Sequence, residues 1–572
     1  MAMSKKLYNL MDWAEIEAVT YSEEDHPKAV LGPHMVKGGT LVTAYLPKAK
    51  NVTLKIKGSK VAEKMELADE EGYFAVLVKN KYPFDYTFEE EDTDGKKAEF
   101  ADPYAFDGMI NKRDTQKFNL GIHYRAYDIL GAKLMSVNGV TGVHFAVWAP
   151  NAIRVSVTGT FNGWDGRIHQ MERLWDSGIF ELFIPGVCEG SLYKYEIKLH
   201  NGTVILKSDP YGYEFEELPG TASAVCDIEK FTWKDDKWIE GREKFQSDTA
   251  PVAIYELNLD TFADRTGSSN SSGYRDMAPA IAAHVKDMGY THIELMPVME
   301  HSEDGSQGYH TLGFFAPTRR YGTAEDFMFF IDYMHSNGIG VILDWSPSVF
   351  PRDEQGLIEF DGTCLYEDPD GRKSMSTDRG AMYFNLGRNE VKNFLIADAL
   401  FWVLKYHADG LRVDSVEKML YLDYGKADGE WVPNIYGGKE NLDSVEFFKH
   451  LNSVFRKLSG DILMIAEESA VWPNVTGNVE DDSLGFNYRL NNGWTDDVLG
   501  YLKYESLYRT HHYSEVCFPM VYQYSENFIL PLDHILMQNG NGSLIYRMPA
   551  ALEEKYANLR ALLSFFMFHP PK

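Results

Sequence analysis

Two carboxylates at predicted strand ends carry the strongest chemical signal in the chain. They are Asp414 in Gly410-Leu411-Arg412-Val413-Asp414 and Glu467 in Ile465-Ala466-Glu467-Glu468. Carboxyl groups about 5–5.5 Å apart cleave a glycosidic bond with retention, one as nucleophile and the other as acid and then base. Asp414 suits the nucleophile, because Arg412 lies two residues earlier on the same side of a strand. An adjacent guanidinium keeps a carboxylate ionised. Glu467 suits the proton donor where drier surroundings raise its pKa. Asp344 is placed to hydrogen-bond sugar hydroxyls, and Tyr309 to stack on a ring. Taken singly, each carboxylate is more readily read as a helix cap or the partner of a surface arginine. As a set in one register they read as a site. A third strand end, Leu530-Pro531-Leu532-Asp533-His534-Ile535, finishes in isoleucine where such a site would hold another carboxylate. Asp533 falls about 6–7 Å back along a regular strand, too far to stand in.

The elements that position these groups begin at Pro251. Short apolar strands (Ile254-Tyr255-Glu256-Leu257, His292-Ile293-Glu294-Leu295, Gly340-Val341-Ile342-Leu343-Asp344) alternate from there with helical runs. Leu411-Arg412-Val413, Leu463-Met464-Ile465 and Phe528-Ile529-Leu530 continue the series. Thr323 with Asp326 predicts a helix cap, and Asn337-Gly338 a stop. Such alternation predicts a parallel sheet closing as a (β/α)8-type barrel, whose chemistry sits at the carboxyl ends of the strands. Asp344, Asp414, Glu467 and His534 fall there. The last predicted helix carries Leu552, Tyr556, Leu559, Leu563 and Phe566 on one face. Only His569-Pro570-Pro571-Lys572 follow, so the barrel is expected to be incomplete, truncated before strand eight.

The preceding residues read as an internal repeat. Gly39-Thr40-Leu41-Val42-Thr43-Ala44-Tyr45-Leu46-Pro47 echoes Gly142-Val143-His144-Phe145-Ala146-Val147-Trp148-Ala149-Pro150. Gly72-Tyr73-Phe74 echoes Gly178-Ile179-Phe180, and Asp102-Pro103-Tyr104 echoes Asp209-Pro210-Tyr211, 107 residues on. Alternating apolar and polar residues between these marks predict two tandem β-sandwiches. The expected organisation is multidomain: a sandwich over 1–112, a starch-binding-type sandwich over 113–232, and a catalytic-type barrel over 250–572.

A net charge of -29 argues against nucleic acid and anionic membrane as partners. Aromatics at 14% suit sugar stacking, although large cores use most of them. Cys188, Cys226, Cys364 and Cys517 show no metal-ligand spacing and predict free thiols in a reducing compartment. The N-terminus lacks a signal-peptide run and no stretch is long enough to span a bilayer, which makes cytoplasmic the simplest location.

At the site residues the chain resembles the bacterial 1,4-α-glucan branching enzymes of the α-amylase superfamily. The resemblance lies in Asp344-Trp345-Ser346-Pro347, Gly410-Leu411-Arg412-Val413-Asp414, Ala466-Glu467-Glu468-Ser469 and Glu526-Asn527-Phe528-Ile529-Leu530-Pro531-Leu532. Ala316-Pro317-Thr318-Arg319-Arg320-Tyr321-Gly322, Phe360-Asp361-Gly362-Thr363 and Gly429-Glu430-Trp431-Val432-Pro433-Asn434 resemble branching enzymes in particular. Phe161-Asn162-Gly163-Trp164-Asp165-Gly166-Arg167 resembles a turn of their starch-binding-type sandwich, although Trp148 and Trp164 also fit a core. The resemblance implies transfer of α-1,4 glucan segments to α-1,6 positions in glycogen metabolism, without a cofactor or metal and on glycogen or an amylose-like glucan. It implies Asp414 as nucleophile, Glu467 as acid/base, and Arg412, Asp344, Tyr309 and His534 lining the sugar site.

The chain departs from that family at Val349 (a histidine there), Ile535 (an aspartate), Gln307 and His310 (a tryptophan and a glutamine) and Arg379 (a tryptophan). The family also continues into an eighth strand and a C-terminal β domain. Two main readings therefore stand: an active transferase, or an inactive paralogue that binds glucan. A hydrolase is a weaker third.

Overall fold

The computed structural model describes residues 4–246, 250–265, 273–377, 380–458, 460–537 and 542–569. Two β-sandwiches lead into a curled parallel sheet.

In the first sandwich, strands Gly32–Val36, Gly39–Tyr45, Tyr73–Val78 and Glu66–Asp69 form one sheet. Ala62–Lys64, Ala49–Ile56, Tyr86–Asp92 and Lys97–Phe100 form the other. Their alternating inward residues, among them Val42, Ala44, Val52, Leu54, Phe74 and Phe88, make the core between them. The second sandwich pairs Val140–Trp148 with Gly131–Val137 and Ile179–Pro185, opposite a sheet centred on Leu192–Lys198. Val143, Phe145, Val155, Val157 and Tyr195 fill it.

The repeat seen in sequence is a repeat of chemistry. Tyr86 Oη donates to Asp102 Oδ2 at 2.6 Å, and Tyr193 Oη donates to Asp209 Oδ2 at 2.6 Å. Each aspartate also accepts the N–H two residues on, from Tyr104 and Tyr211, at 2.9 Å. Gly72 and Gly178 both take positive φ and present a carbonyl to Leu46 N–H and Ala149 N–H, at 2.9 Å each. A buried carboxylate held by a phenol thus ties the same corner of both modules. Trp148 is core, whereas Trp164 is 42% exposed on its turn.

The barrel-type sheet has seven parallel strands in sequential order: β1 (Ile254–Leu257), β2 (His292–Leu295), β3 (Gly340–Trp345), β4 (Gly410–Val413), β5 (Leu463–Ala466), β6 (Tyr488–Leu490) and β7 (Phe528–Ile529). The sequence reading names six of these and misses β6. Only three residues long and flanked by Asn487 and Asn491, β6 offers no apolar run to find. The strands β2 to β5 are buried throughout, as parallel strands covered by helices must be. Among the described residues the sheet curls without an eighth strand, leaving β1 and β7 at its two ends.

The helix Ala324–Ser336 starts on the expected cap, a reciprocal Thr323–Asp326 box with Asp326 N–H to Thr323 Oγ1 at 3.1 Å. The last helix, Leu552–Phe568, turns only Leu559 and Phe566 of the expected line inward. Leu562, Leu559, Phe565 and Phe566 pack inward against Trp494, while Leu552, Tyr556 and Leu563 are exposed. Period alone could not choose between two overlapping apolar stripes in so apolar a helix. All four cysteines are free thiols. Among the described residues no helix is long and apolar enough to cross a membrane.

Candidate active site

Register in the sheet aligns the site residues. Asp344 on β3 pairs with Arg412 on β4, and Glu256 on β1 pairs with Glu294 on β2. One step beyond the strands, Asp414 N–H bonds Trp345 O at 2.9 Å and Glu467 N–H bonds Val413 O at 3.0 Å. The ladder therefore presents both carboxylates at the rim. Ser415 then takes φ +52°, a left-handed turn that swings the chain into its helix and leaves its N–H on Glu467 Oε2 at 3.2 Å. A non-glycine residue held there is strained, and such strain gathers at sites.

Arg412, fully buried, organises the centre. Its Nη1 donates to Asp344 Oδ2 at 2.9 Å, and its Nη2 lies 3.0 Å from Glu467 Oε2. Nη1 lies 3.7 Å from Asp414 Oδ1 and Nε 3.6 Å from Glu294 Oε1. Tyr309 Oη donates to the same Asp344 oxygen at 2.7 Å. The Tyr309 ring lies 5.9 Å from that of His534, at 20°. Asp344, Arg412, Asp414, Glu467, Tyr309 and His534 are thus brought into one cluster.

The proton order within the pair differs from the sequence reading. Asp414 and Glu467 hydrogen-bond each other. Burial and then Glu467 drive the Asp414 carboxyl well above its ordinary range. Burial also opposes charge on Glu467, but Arg412, Asp414 and the Ser415 N–H outweigh it and hold Glu467 low. The guanidinium lies nearer to Glu467 than to Asp414. Arg412 does draw Asp414 down, as the sequence implies, but burial and the neighbouring Glu467 outweigh it.

Sequence reasoning missed two members of the site, Glu256 and Glu294. The available signal was a glutamate in the third position of two successive apolar strands, which the register places side by side. Burial raises Glu294 to about 7, with Arg412 opposing and Glu256 adding. Burial likewise raises Asp344, with Arg412 opposing. Single oxygens of Glu256, Glu294 and Asp344 lie within 4.8 Å of one another, a spacing that can hold a metal ion. Here Arg412 and His534 already face these oxygens and supply positive charge.

The departures sit in different surroundings. Val349 is buried in the strand Val349–Pro351, paired with Tyr383. Gln307 is exposed at φ +53°, and His310 pairs with Glu303 at 3.2 Å. Ile535 is 43% exposed on the turn His534–Met537. Arg379 lies outside the described residues.

Comparison with known proteins finds clear relatives. Residues 12–104 match the family model "alpha-1,4-glucan branching enzyme GlgB, N-terminal domain", and residues 120–212 match "Carbohydrate-binding module 48 (Isoamylase N-terminal domain)". The chain is 44% identical over 562 residues to 1,4-alpha-glucan branching enzyme GlgB 2 of Rhizobium etli, covering 98% of this chain and 76% of the relative. It is 43% identical to the GlgB enzyme of Pseudomonas aeruginosa, covering 100% of this chain and 78% of the relative. A crystal structure from Salmonella typhimurium assigned to the alpha amylases superposes with a TM-score of 0.51 at 21% identity. It covers 68% of this chain and 59% of that one, a likeness of fold. On sequence identity across nearly its whole length, the chain belongs to the family of 1,4-alpha-glucan branching enzymes.

Proposed function

We propose that this chain acts on an α-1,4-linked glucan, cutting a segment and rejoining it to a 6-hydroxyl, with Asp414 as nucleophile and Glu467 as acid/base. The observation that carries the reading is one buried guanidinium touching both carboxylates at the rim of a parallel sheet. A sugar seated between them replaces their mutual hydrogen bond. Asp414 then bonds the anomeric carbon as the glycosidic oxygen leaves with the Glu467 proton. In the second half the acceptor hydroxyl gives its proton to Glu467 and attacks the same carbon, releasing Asp414. This requires the proton to pass from Asp414 to Glu467 first. A single guanidinium shared at 3.0 and 3.7 Å makes that exchange a matter of small displacement. Tyr309 and His534 supply ring faces, and Asp344 an acceptor for hydroxyls.

The test is purified chain on amylose, scored by iodine stain and by α-1,6 anomeric signals in proton NMR. New α-1,6 linkages lost in Asp414→Asn support the reading; no product at high protein concentration overturns the transfer. A second reading, glucan binding without remodelling, draws on Ile535, which stands half out in solvent where the family resemblance implies a carboxylate. Co-sedimentation with glycogen, undiminished in Asp414→Asn and without new linkages, would select it. The partner in both readings is an α-glucan.

A further inference from the structure

The strongest unassigned feature is a bridge between the two ends of the curled sheet. Glu256 on β1 accepts the His534 backbone N–H on Oε2 at 2.6 Å and meets the ring Nδ1 with Oε1 at 2.7 Å. Its carboxylate therefore grips main chain and side chain of one residue, 278 positions away. Two bonds from one carboxylate fix ring orientation as well as position. The strand the sequence extends toward Ile535 does not stay regular. It ends at Ile529, and residues 534–537 coil into a turn. That turn sends Ile535 outward and removes the premise that Asp533 lies too far back along a strand.

We propose that Glu256 is a positioning residue that clasps His534 across the opening of the barrel and so holds the adjoining Asp533 against the Arg412 side of the site, giving it the carboxylate that Ile535 does not supply. Asp533 is half-buried. Its place in the chain, directly before the clasped His534, sets it beside the site; burial, with Glu256 and Glu467, raises its carboxyl, and Arg412 and His534 oppose that. The inference rests on the glucan reading above and names the residues that complete that sugar site. Glu256, Arg412, Asp344, Glu467 and Asp533 all face His534 electrostatically. Burial opposes the charged imidazole most strongly, the hydrogen bond and charge of Glu256, helped by Asp344, together outweigh it, and the net direction is upward from 6.5.

Two measurements test the inference on the intact chain, with unfolding midpoints recorded for each variant. The first follows the His534 imidazole through pH by NMR of histidine-labelled protein, assigned by the signal missing in His534→Asn. Glu256→Gln preserves shape, but its amide donates to a neutral ring, so proton affinity should fall about tenfold or more. An unchanged titration overturns the clasp. The second is maltoheptaose affinity by calorimetry. Glu256→Gln and Asp533→Asn should each weaken it about tenfold, while Ile535→Asp should leave it within about twofold. Loss of affinity in Glu256→Gln but none in Asp533→Asn overturns the role of Asp533. Should the unaltered chain bind no maltoheptaose, the glucan reading and the role of Asp533 both fall, while the imidazole titration still decides the clasp.

Discussion

Replacing Arg412 by methionine tests the electrostatic argument at its centre. The guanidinium is fully buried and lies within 3.7 Å of oxygens of Asp344, Glu467, Asp414 and Glu294. Methionine fills a similar volume and removes the only positive group in direct contact with Glu467 among its described ion pairs. Breaking a buried pair by deleting one partner costs about 3–5 kcal/mol, because the remaining charge is stranded. At roughly 2 °C per kcal/mol for a domain of this size, the midpoint should fall by about 6–10 °C. The pH dependence carries a sign. Glu467 is held below its ordinary 4.5 in the folded chain, so its contribution is present above that value and fades as pH falls through the lower, folded one. The cost of Arg412→Met should therefore be largest near pH 7 and shrink below about pH 4.5. Adding Glu467→Gln should restore part of the loss, since it removes the stranded charge. Calorimetric scans of both single variants and the double form a cycle. Additive losses, or a single-variant midpoint within about 1 °C of the parent, would refute the account.

Further outcomes follow from other parts of the molecule. Glu467→Gln should lower formation of α-1,6 linkages on amylose by about 10²–10⁴-fold, the usual span for a positioned acid/base, read by NMR of the product. Tyr86→Phe should cost about 1–3 kcal/mol in denaturant unfolding, since it strips the buried Asp102 of its hydroxyl donor, and Tyr193→Phe should cost less, since Tyr195 Oη still donates to Asp209 Oδ2 at 3.2 Å. His335, between Asp235 and Asp409 at 2.8 and 2.9 Å, is raised from 6.5 to about 9 against the opposing pull of burial. Its stabilisation, about 3 kcal/mol, is complete below about pH 6.5 and lost as pH rises through about 9. The parent should lose stability across that interval, and His335→Gln should show a flatter profile in unfolding measured from pH 6 to 10.

Much of this molecule is legible in its sequence. The sandwich repeat was visible because turns and buried corners demand particular residues, Gly72 with Gly178 and Asp102 with Asp209, wherever they recur. The barrel showed through runs such as Gly340-Val341-Ile342-Leu343-Asp344, which parallel strands buried on both faces require. Residues at strand ends were found because their neighbours in sequence, such as Arg412 beside Asp414, are also their neighbours in space. Glu256 and Glu294 escaped because their meaning depends on pairing across the sheet. The unequal surroundings of Asp414 and Glu467 escaped because they depend on burial and on contacts made across the sheet, among them one guanidinium at 3.7 and 3.0 Å. The inward line of the last helix was decided by Trp494, from another part of the chain.

The ends of the curled sheet bear on how the protein behaves in a test tube. β1 has four residues and β7 two, so each offers a neighbouring molecule only a short row of main-chain donors and acceptors. Brevity of this kind is how natural sheets discourage templated stacking. The acidic surface adds mutual repulsion between copies. Concentrated preparations should thus tolerate low salt better than high, where screening weakens that repulsion.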